Sequence, residues 1–333
     1  MGLALPFPAR RPLGYEWLDD EPEFDPAVHL ALEAPASVTY LEEFGYGPED
    51  TVDVASPIAV SGPIRILSDE GAAVMLGTAQ RLRPFRNTGG GRIENLVRCG
   101  CYRSRWLRDL CMSPDVTGLL CDVFEAEIAP HTMPVHLGHM NFEPSDPDAA
   151  VDKWHHDTLP LDYVMMVSDP ATLDGGEFEY FVGTKAEAAE LADAGLTPPR
   201  DRVVIPDFPG PGYAVALHGN MVVHRGAALR TPGERITMVN GYVSTDTSRD
   251  DQSRTVDLVP VDDHEVLYTE WARHAAWRAR GRLDRLIDDL EFGIDPAAAS
   301  AALTEAVGDV RRAIEEMNND APAEIHHYER SSG

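Results

Sequence analysis

Cysteine is scarce in this chain, with 4 among 333 residues. The four cysteines lie in one region, as Cys99, Cys101, Cys111 and Cys121. A chain of this length with so few cysteines is not a disulfide scaffold, because such scaffolds use several bridges in place of a large core. Cys99 and Cys101 also lack a second Cys or His pair at the spacing of a structural zinc site. The sequence therefore predicts ordinary core thiols.

Positive charge is also in short supply. The 28 Lys and Arg residues face 56 Asp and Glu residues, which gives a formal net charge of −28. A surface this negative repels nucleic-acid phosphates and anionic lipids, so we expect neither as a partner. The same charge promotes solubility and therefore does not identify a substrate.

Long apolar runs are missing, and so is any internal repeat. No stretch approaches the length of a membrane span, and residues 1–10 have neither the basic start nor the apolar run of a signal peptide. We therefore expect a cytoplasmic protein. A hydrophobic content of 43% in 333 residues is enough to bury a full core, in one large domain or two small ones.

The order of composition and pattern along the chain predicts three regions. Residues 1–60 are rich in proline and acidic residues and predict an irregular N-terminal wrapping segment. Residues 61–250 predict the core with its supporting helices. Residues 251–333 predict a helical C-terminal extension of the same domain, because apolar residues recur there at helical spacing.

Helical spacing and strand alternation predict a mainly β fold with flanking helices. Helices are predicted over Gly71–Leu82 behind a Ser68 N-cap, and over Tyr102–Cys111, Pro114–Ile128, Ala186–Gly195 and Ala297–Met317. Between residues 134 and 244 the pattern changes to short alternating strands, among them Val135–Phe142, Glu177–Val182, Tyr213–Leu217 and Arg235–Val243. Eight such strands would form a double-stranded β-helix, or jelly roll.

One short segment carries the chemistry of a metal site. His155 and Asp157 are two residues apart, so on an extended strand both leave the same face, while His156 points the other way. His224, further along the chain, would complete a set of two imidazoles and one carboxylate. Such a set suits mononuclear iron and leaves other coordination positions open. We therefore predict His155, Asp157 and His224 as metal ligands and catalytic residues.

Arg235 and Thr237 follow the third ligand and share a strand face. A guanidinium offers a fork of donors that matches a carboxylate, and a hydroxyl two residues on can add a further hydrogen bond. The pair suits a dicarboxylate co-substrate.

With the His155-x-Asp157 pair, His224, Arg235 and Thr237 in this order, the chain resembles the Fe(II)- and 2-oxoglutarate-dependent dioxygenases. Over roughly residues 60–245 it looks most like the phytanoyl-CoA dioxygenase branch, through the segments 63–67, 153–157, 163–168 and 175–183. One departure is the turn at 182–185, Val-Gly-Thr-Lys, where the branch has Pro-Gly-Ser-His. The resemblance implies a jelly-roll hydroxylase that uses Fe(II), O2 and 2-oxoglutarate, with the last held by Arg235 and Thr237.

The resemblance also bears on the outcome of the reaction. In halogenating relatives a small residue replaces the ligand carboxylate, whereas this chain keeps Asp157, so hydroxylation or desaturation is expected. The expected substrate is a small molecule such as an amino acid or a natural-product intermediate. Two rival classes stay open: a cupin-like metal enzyme that does not use 2-oxoglutarate, and an inactive binding protein on the same fold.

Several residues have alternative interpretations. His218 competes with His224 as the distal ligand, although its spacing to Arg235 fits the family pattern less well. His136 and His139 are expected on opposite faces of a strand, and neither is expected to bind metal. The glycine-rich loop from Arg86 to Arg92 is either a lid or a plain surface connection.

Overall fold

The secondary structure comes from a computed structural model that describes residues 4–89, 92–146, 148–319 and 327–329. The strands, in chain order, are β1 (Leu30–Glu33), β2 (Val38–Tyr40), β3 (Ile58–Ser61), β4 (Ile64–Leu67), β5 (Asn87–Gly89), β6 (Ile93–Val97), β7 (Ile128–Pro130), β8 (His139–Phe142), β9 (Ala150–His155), β10 (Leu161–Met166), β11 (Phe178–Phe181), β12 (Val203–Val204), β13 (Tyr213–Leu217), β14 (His224–Ala228) and β15 (Ile236–Ser244). The helices are α1 (Pro26–His29), α2 (Pro48–Thr51), α3 (Asp69–Leu82), α4 (Arg105–Cys111), α5 (Pro114–Phe124), α6 (Lys185–Asp193), α7 (His264–Asp289), α8 (Pro296–Ala306) and α9 (Gly308–Asn318).

Eight consecutive strands, β8 to β15, form two facing sheets. One sheet contains them in the order β13-β10-β15-β8, and the other in the order β12-β11-β14-β9. Neighbouring strands are antiparallel, and most connections cross from one sheet to the other. This arrangement is the double-sheet jelly roll, which confirms the predicted fold class.

The larger sheet continues beyond the jelly roll on both sides. Strands β1 and β4 extend it next to β13, β6 and β5 extend it next to β8, and β7 pairs with β15. The first 61 residues thus contribute strands to the main sheet. The division of the chain into three regions remains a prediction.

The main core lies between the larger sheet and helices α3, α4 and α5. In β10 all six residues are buried, because the strand has a neighbour on each edge and a packed layer on each face. Tyr163 and Met165 point into the cluster that contains Leu107, Leu110 and other helix residues. Val164, between them, packs in a separate cluster on the side of the second sheet. This alternation is what a strand with two buried faces requires.

Capping residues set the helix boundaries. Ser68 caps α3 as predicted, and its Oγ accepts a hydrogen bond from Gly71 N at 3.0 Å. Helix α4 begins later than predicted, because Ser104 is the cap and accepts from Leu107 N. The predicted C-terminal helix is broken at Val307 into α8 and α9. Within the described ranges, no helix is both long and apolar enough to cross a membrane.

The predicted strand Val135–Phe142 is wrong in its first half. Pro134–His136 is a short 3-10 turn, and β8 begins only at His139. Gly138, between the two histidines, has φ +61°, which redirects the chain. His136 and His139 therefore line the same cavity, and the expectation that they face opposite sides is also wrong.

Candidate metal centre and its cavity

The three predicted metal ligands come together at one end of the smaller sheet. His155 is the last residue of β9, His224 is the first of β14, and these two residues are register partners. Asp157 follows β9 and reaches both rings, with carboxylate oxygens 3.5 Å from His155 Nε2 and 3.5 Å from His224 Nε2. One ligand atom from each residue lies within 4.8 Å of the others.

Backbone carbonyls orient both imidazoles. His155 Nδ1 lies 2.6 Å from Lys153 O, and His224 Nδ1 lies 3.0 Å from Val222 O. Since a carbonyl only accepts, each Nδ1 carries the proton and donates it. Each Nε2 then presents a lone pair toward Asp157, which is how histidines are held in metal sites.

The protonation states also suit a cation. Burial lowers the pKa of His224 to about 4, and the neighbouring His155 lowers it further, so the ring stays neutral at physiological pH. Burial would raise the pKa of Asp157, but the two imidazoles hold it well below its usual value. Two imidazole nitrogens and one carboxylate fit a divalent transition metal and leave further coordination positions open.

Two more carboxyl groups border this centre, and sequence reasoning missed both. Asp162 is fully buried, and burial together with Asp157 raises its pKa well above the usual value. Asp152 Oδ2 lies 3.5 Å from His155 Nε2, while Asp152 Oδ1 lies 3.0 Å from Arg92 Nε. Residues three apart on a regular strand face opposite sides. A register shift between β9 and β14 brings Asp152 and His155 to the same side.

Arg235 and Thr237 lie on the inner face of the larger sheet and line the same cavity as the three ligands. Arg235 is 2% exposed, its Nε donates to Gly176 O at 2.7 Å, and its Nη1 donates to Thr237 Oγ1 at 3.3 Å. Burial lowers the pKa of Arg235 to about 10. Among the described residues, no carboxylate forms an ion pair with it. A buried cation without an anion is costly, so this end of the cavity favours an anionic ligand.

The other wall of the cavity comes from β6, β8 and the segment before α7. Arg98 Nη2 pairs with Asp262 Oδ2 at 3.0 Å, and Arg98 Nη1 lies 3.4 Å from His139 Nδ1. His136, His139 and Asn141 are nearly buried side chains of the cavity lining. From the sequence only Asn141 of this wall is a candidate for the pocket lining, and the pairing of Arg98 with Asp262 is not predictable, because these residues are far apart in the chain.

The remaining candidates lie elsewhere. His218 is fully buried and is not part of the group formed by His155, Asp157 and His224. The four cysteines are free thiols. In the glycine-rich loop, Asn87–Gly89 forms β5, while residues 90 and 91 lie outside the described residues, so its role as a lid is untested.

Comparisons with known proteins identify similar solved structures only at low similarity. No protein-family model and no curated protein matches the chain. Among solved structures, the non-heme alpha-ketoglutarate-dependent epimerase SnoN from nogalamycin biosynthesis is 16% identical, with a TM-score of 0.40 over 55% of this chain and 76% of that chain. The carbocyclase SnoK of the same biosynthesis is 16% identical, with a TM-score of 0.39 over 63% and 88%.

HygX from Streptomyces hygroscopicus, solved with nickel and 2-oxoglutarate, is 15% identical, with a TM-score of 0.37 over 54% of this chain and 79% of that chain. Likenesses this weak do not carry an assignment of activity. The functional argument therefore depends on the geometry of the chain itself. The narrower resemblance to the phytanoyl-CoA dioxygenase branch stays a prediction.

Proposed function

We propose that this chain is a non-haem iron oxygenase that couples the oxidative decarboxylation of 2-oxoglutarate to the hydroxylation of a small molecule. The observation that carries the proposal is the buried Arg235, which has no carboxylate partner among the described residues, in one cavity with His155, Asp157 and His224. A metal site alone suits many enzymes. A metal site next to an unpaired buried guanidinium suits a metal-binding acid with a second carboxylate at its far end.

The reaction balances without any other reductant. O2 is the oxidant and 2-oxoglutarate supplies two of the four electrons it takes; bound iron(II) would activate the O2, so that one oxygen atom would enter succinate and the other would enter the substrate as a hydroxyl, with release of carbon dioxide. The protein contributes binding, orientation and exclusion of water.

Each of the five site residues has a distinct role in this proposal. His155, Asp157 and His224 would hold the iron through Nε2, a carboxylate oxygen and Nε2, in the orientation that the backbone carbonyls already impose. Arg235 would bind the far carboxylate of 2-oxoglutarate. Thr237 holds one arm of the guanidinium and would add its hydroxyl to the same carboxylate. These roles place the co-substrate between the sheets.

The proposed outcome is hydroxylation or desaturation. Asp157 would supply a carboxylate ligand, and the family resemblance implies that halogenating relatives have a small residue at this place, which leaves room for halide. The proposed substrate class is an amino acid or a natural-product intermediate.

The experiment that tests the proposal is succinate formation by the purified chain. The chain is incubated with Fe(II), 2-oxoglutarate and O2, alone and with a panel of free amino acids and small metabolites, and succinate and oxidised product are quantified together. We expect succinate in proportion to product with at least one compound. If iron binds but succinate never forms, the cupin-like alternative becomes the better interpretation. If iron does not bind, the chain is a binding protein.

A further inference from the structure

The cavity wall opposite the metal centre carries polar atoms that nothing in the described part of the chain satisfies. Both ring nitrogens of His136, Nε2 of His139 and Oδ1 of Asn141 are buried and make no hydrogen bond there. His136 is 2% exposed, and His139 and Asn141 are 8% exposed. Leaving buried polar groups unpaired is unfavourable, so such groups usually have a partner in the ligand or in water.

Arg98 decides which tautomer His139 adopts. A guanidinium can only donate, so His139 Nδ1, 3.4 Å from Arg98 Nη1, must accept. Burial lowers the pKa of His139 well below its usual value, and Arg98 and Arg92 lower it further, so the ring is neutral. Its one proton is then on Nε2. Unlike His155 and His224, His139 presents an N–H donor to the cavity, which is unsuitable for a metal and suitable for an oxygen atom.

The neighbours of this donor match a hydroxyl group. A hydrogen-bonding interaction with the Asn141 side chain raises the pKa of His139, but its geometry is poor, because neither Asn141 Oδ1 nor His139 Nε2 has a partner at full hydrogen-bond distance and angle among the described residues. A hydroxyl can accept a hydrogen bond from His139 Nε2–H and donate one to Asn141 Oδ1 at the same time. His136, also neutral because of its burial, offers one donor and one acceptor of its own. A second hydroxyl would satisfy it.

The other arginines around the cavity already have carboxylate partners. Arg92 pairs with Asp152, Arg98 with Asp262, and Arg225 with Glu179. Of the arginines that line the cavity among the described residues, Arg235 alone has no carboxylate within ion-pair distance. A charged substrate would therefore find no free counter-charge on this wall, whereas neutral hydroxyl groups would.

We propose that His136, His139 and Asn141 form a subsite for a neutral, polyhydroxylated substrate, in which one hydroxyl bridges His139 Nε2 and Asn141 Oδ1. The proposal rests on the proposed function, because it places the substrate next to the iron and 2-oxoglutarate sites. Its test is nevertheless a binding measurement that needs no turnover. Arg98 and Asp262 act as positioning residues, since they fix the tautomer of His139.

The test uses the full chain loaded with Zn(II), which prevents oxidation, and ligand-observed NMR titrations. The probes are myo-inositol and methyl α-D-glucopyranoside, compared with cyclohexanol, cyclohexanecarboxylate and cyclohexylamine. We expect saturable binding of the two hydroxylated probes and weaker binding of the other three. Preference for an apolar or charged probe, or no saturable binding of either hydroxylated probe, overturns the proposal.

Variants link this binding to the named side chains. His139→Phe should weaken the hydroxylated probes about 5- to 10-fold, the loss of one to two hydrogen bonds. His139→Gln retains a donor and should recover part of the lost affinity. His136→Asn is the conservative variant of His136, the other imidazole of the subsite. His264→Phe, the same change at an exposed histidine, is the control and should bind as wild type. Unchanged affinity in His139→Phe contradicts the subsite.

Two further readouts separate this proposal from the proposed function. Nitrogen-15 NMR of labelled histidines should identify His139 as the Nε2–H tautomer, and the opposite tautomer contradicts the argument. Arg235→Ala should strongly weaken 2-oxoglutarate binding but leave probe binding intact. If 2-oxoglutarate does not bind to wild type while the probes do, the proposed function fails and the subsite stands.

Discussion

Arg235 donates a hydrogen bond from Nη1 to Thr237 Oγ1 over 3.3 Å, and Gly176 O holds the Nε of the same guanidinium at 2.7 Å. These two contacts fix the plane of the guanidinium and leave Nη2 without a hydrogen bond among the described residues. Gly176 has φ +71°, and a Cβ there would lie 3.1 Å from Arg235 Cδ. The guanidinium that we propose as the carboxylate anchor is therefore held in place before any ligand binds, which lowers the entropic cost of binding.

The first prediction concerns this anchor. Arg235→Lys keeps the charge but loses the fork, so the dissociation constant for 2-oxoglutarate should rise strongly while iron affinity changes little. Arg235→Ala should raise this dissociation constant for 2-oxoglutarate further. Thr237→Val removes one hydroxyl and should reduce the free energy of 2-oxoglutarate binding by about 1 kcal/mol. Calorimetric titration of 2-oxoglutarate into the metal-loaded chain measures all three, with the exposed Arg230→Lys as control. Equal affinity in wild type and Arg235→Ala would remove the basis of the assignment.

The second prediction concerns the metal ligands. His155→Ala, Asp157→Ala and His224→Ala should each lose stoichiometric Fe(II) binding, because each removes one of three protein ligands. His218→Ala is the matched control, since His218 is another buried histidine near the same sheets but outside the ligand group. Metal content after dialysis is the measurement, and circular dichroism checks that each variant is folded. Loss of iron in His218→Ala with retention in His224→Ala would reverse the choice of distal ligand.

The third prediction concerns the close approach of α3 to the N-terminal segment. A Cβ on Gly71 would lie 2.1 Å from His29 O, a backbone atom that cannot move freely. Gly71→Ala should therefore destabilise the protein by roughly 1–3 kcal/mol through overpacking. Gly77→Ala in the same helix meets nothing within 4 Å and should stabilise it by up to about 1 kcal/mol through helix propensity. Chemical denaturation of the two variants measures the difference. The same sign for both would contradict the packing argument.

The fourth prediction concerns Glu270 of α7, which lies beneath the turn that carries His136. Its carboxylate accepts hydrogen bonds from Tyr102 Oη and Val135 N, both at 2.8 Å. Burial nevertheless raises its pKa to about 7. The folded state thus binds a proton more tightly than the unfolded state does. Stability relative to Glu270→Gln should fall as pH rises from about 4.5 to 7, by on the order of 3 kcal/mol.

Denaturant midpoints of wild type and Glu270→Gln, measured from pH 4.5 to pH 8, check this dependence. Glu265→Gln, at an exposed position in the first turn of the same helix, is the control for the loss of one negative charge. A difference between wild type and Glu270→Gln that stays constant over this range would show that the carboxyl does not titrate there.

The sequence by itself determined the fold class and the grouping of the three ligands. Strand alternation and turn residues are local signals, and so they predicted Tyr213–Leu217 to the residue and the Ser68 cap of α3. The spacing of His155 and Asp157 is also local, since two residues on an extended chain share a face. These features follow from backbone geometry, which the sequence specifies over short distances.

Only the tertiary structure decided the rest of the site. Asp152 reaches His155 because a register shift between two strands changes its side, and the local pattern carries no sign of that shift. The tautomer of His139 depends on Arg98 and Asp262, which come from distant parts of the chain. Gly71 and Gly77 look alike in the sequence, and only the position of His29 O separates them. Each of these outcomes is set by contacts between residues far apart in the chain, and such contacts exist only once the sheets and helices have packed.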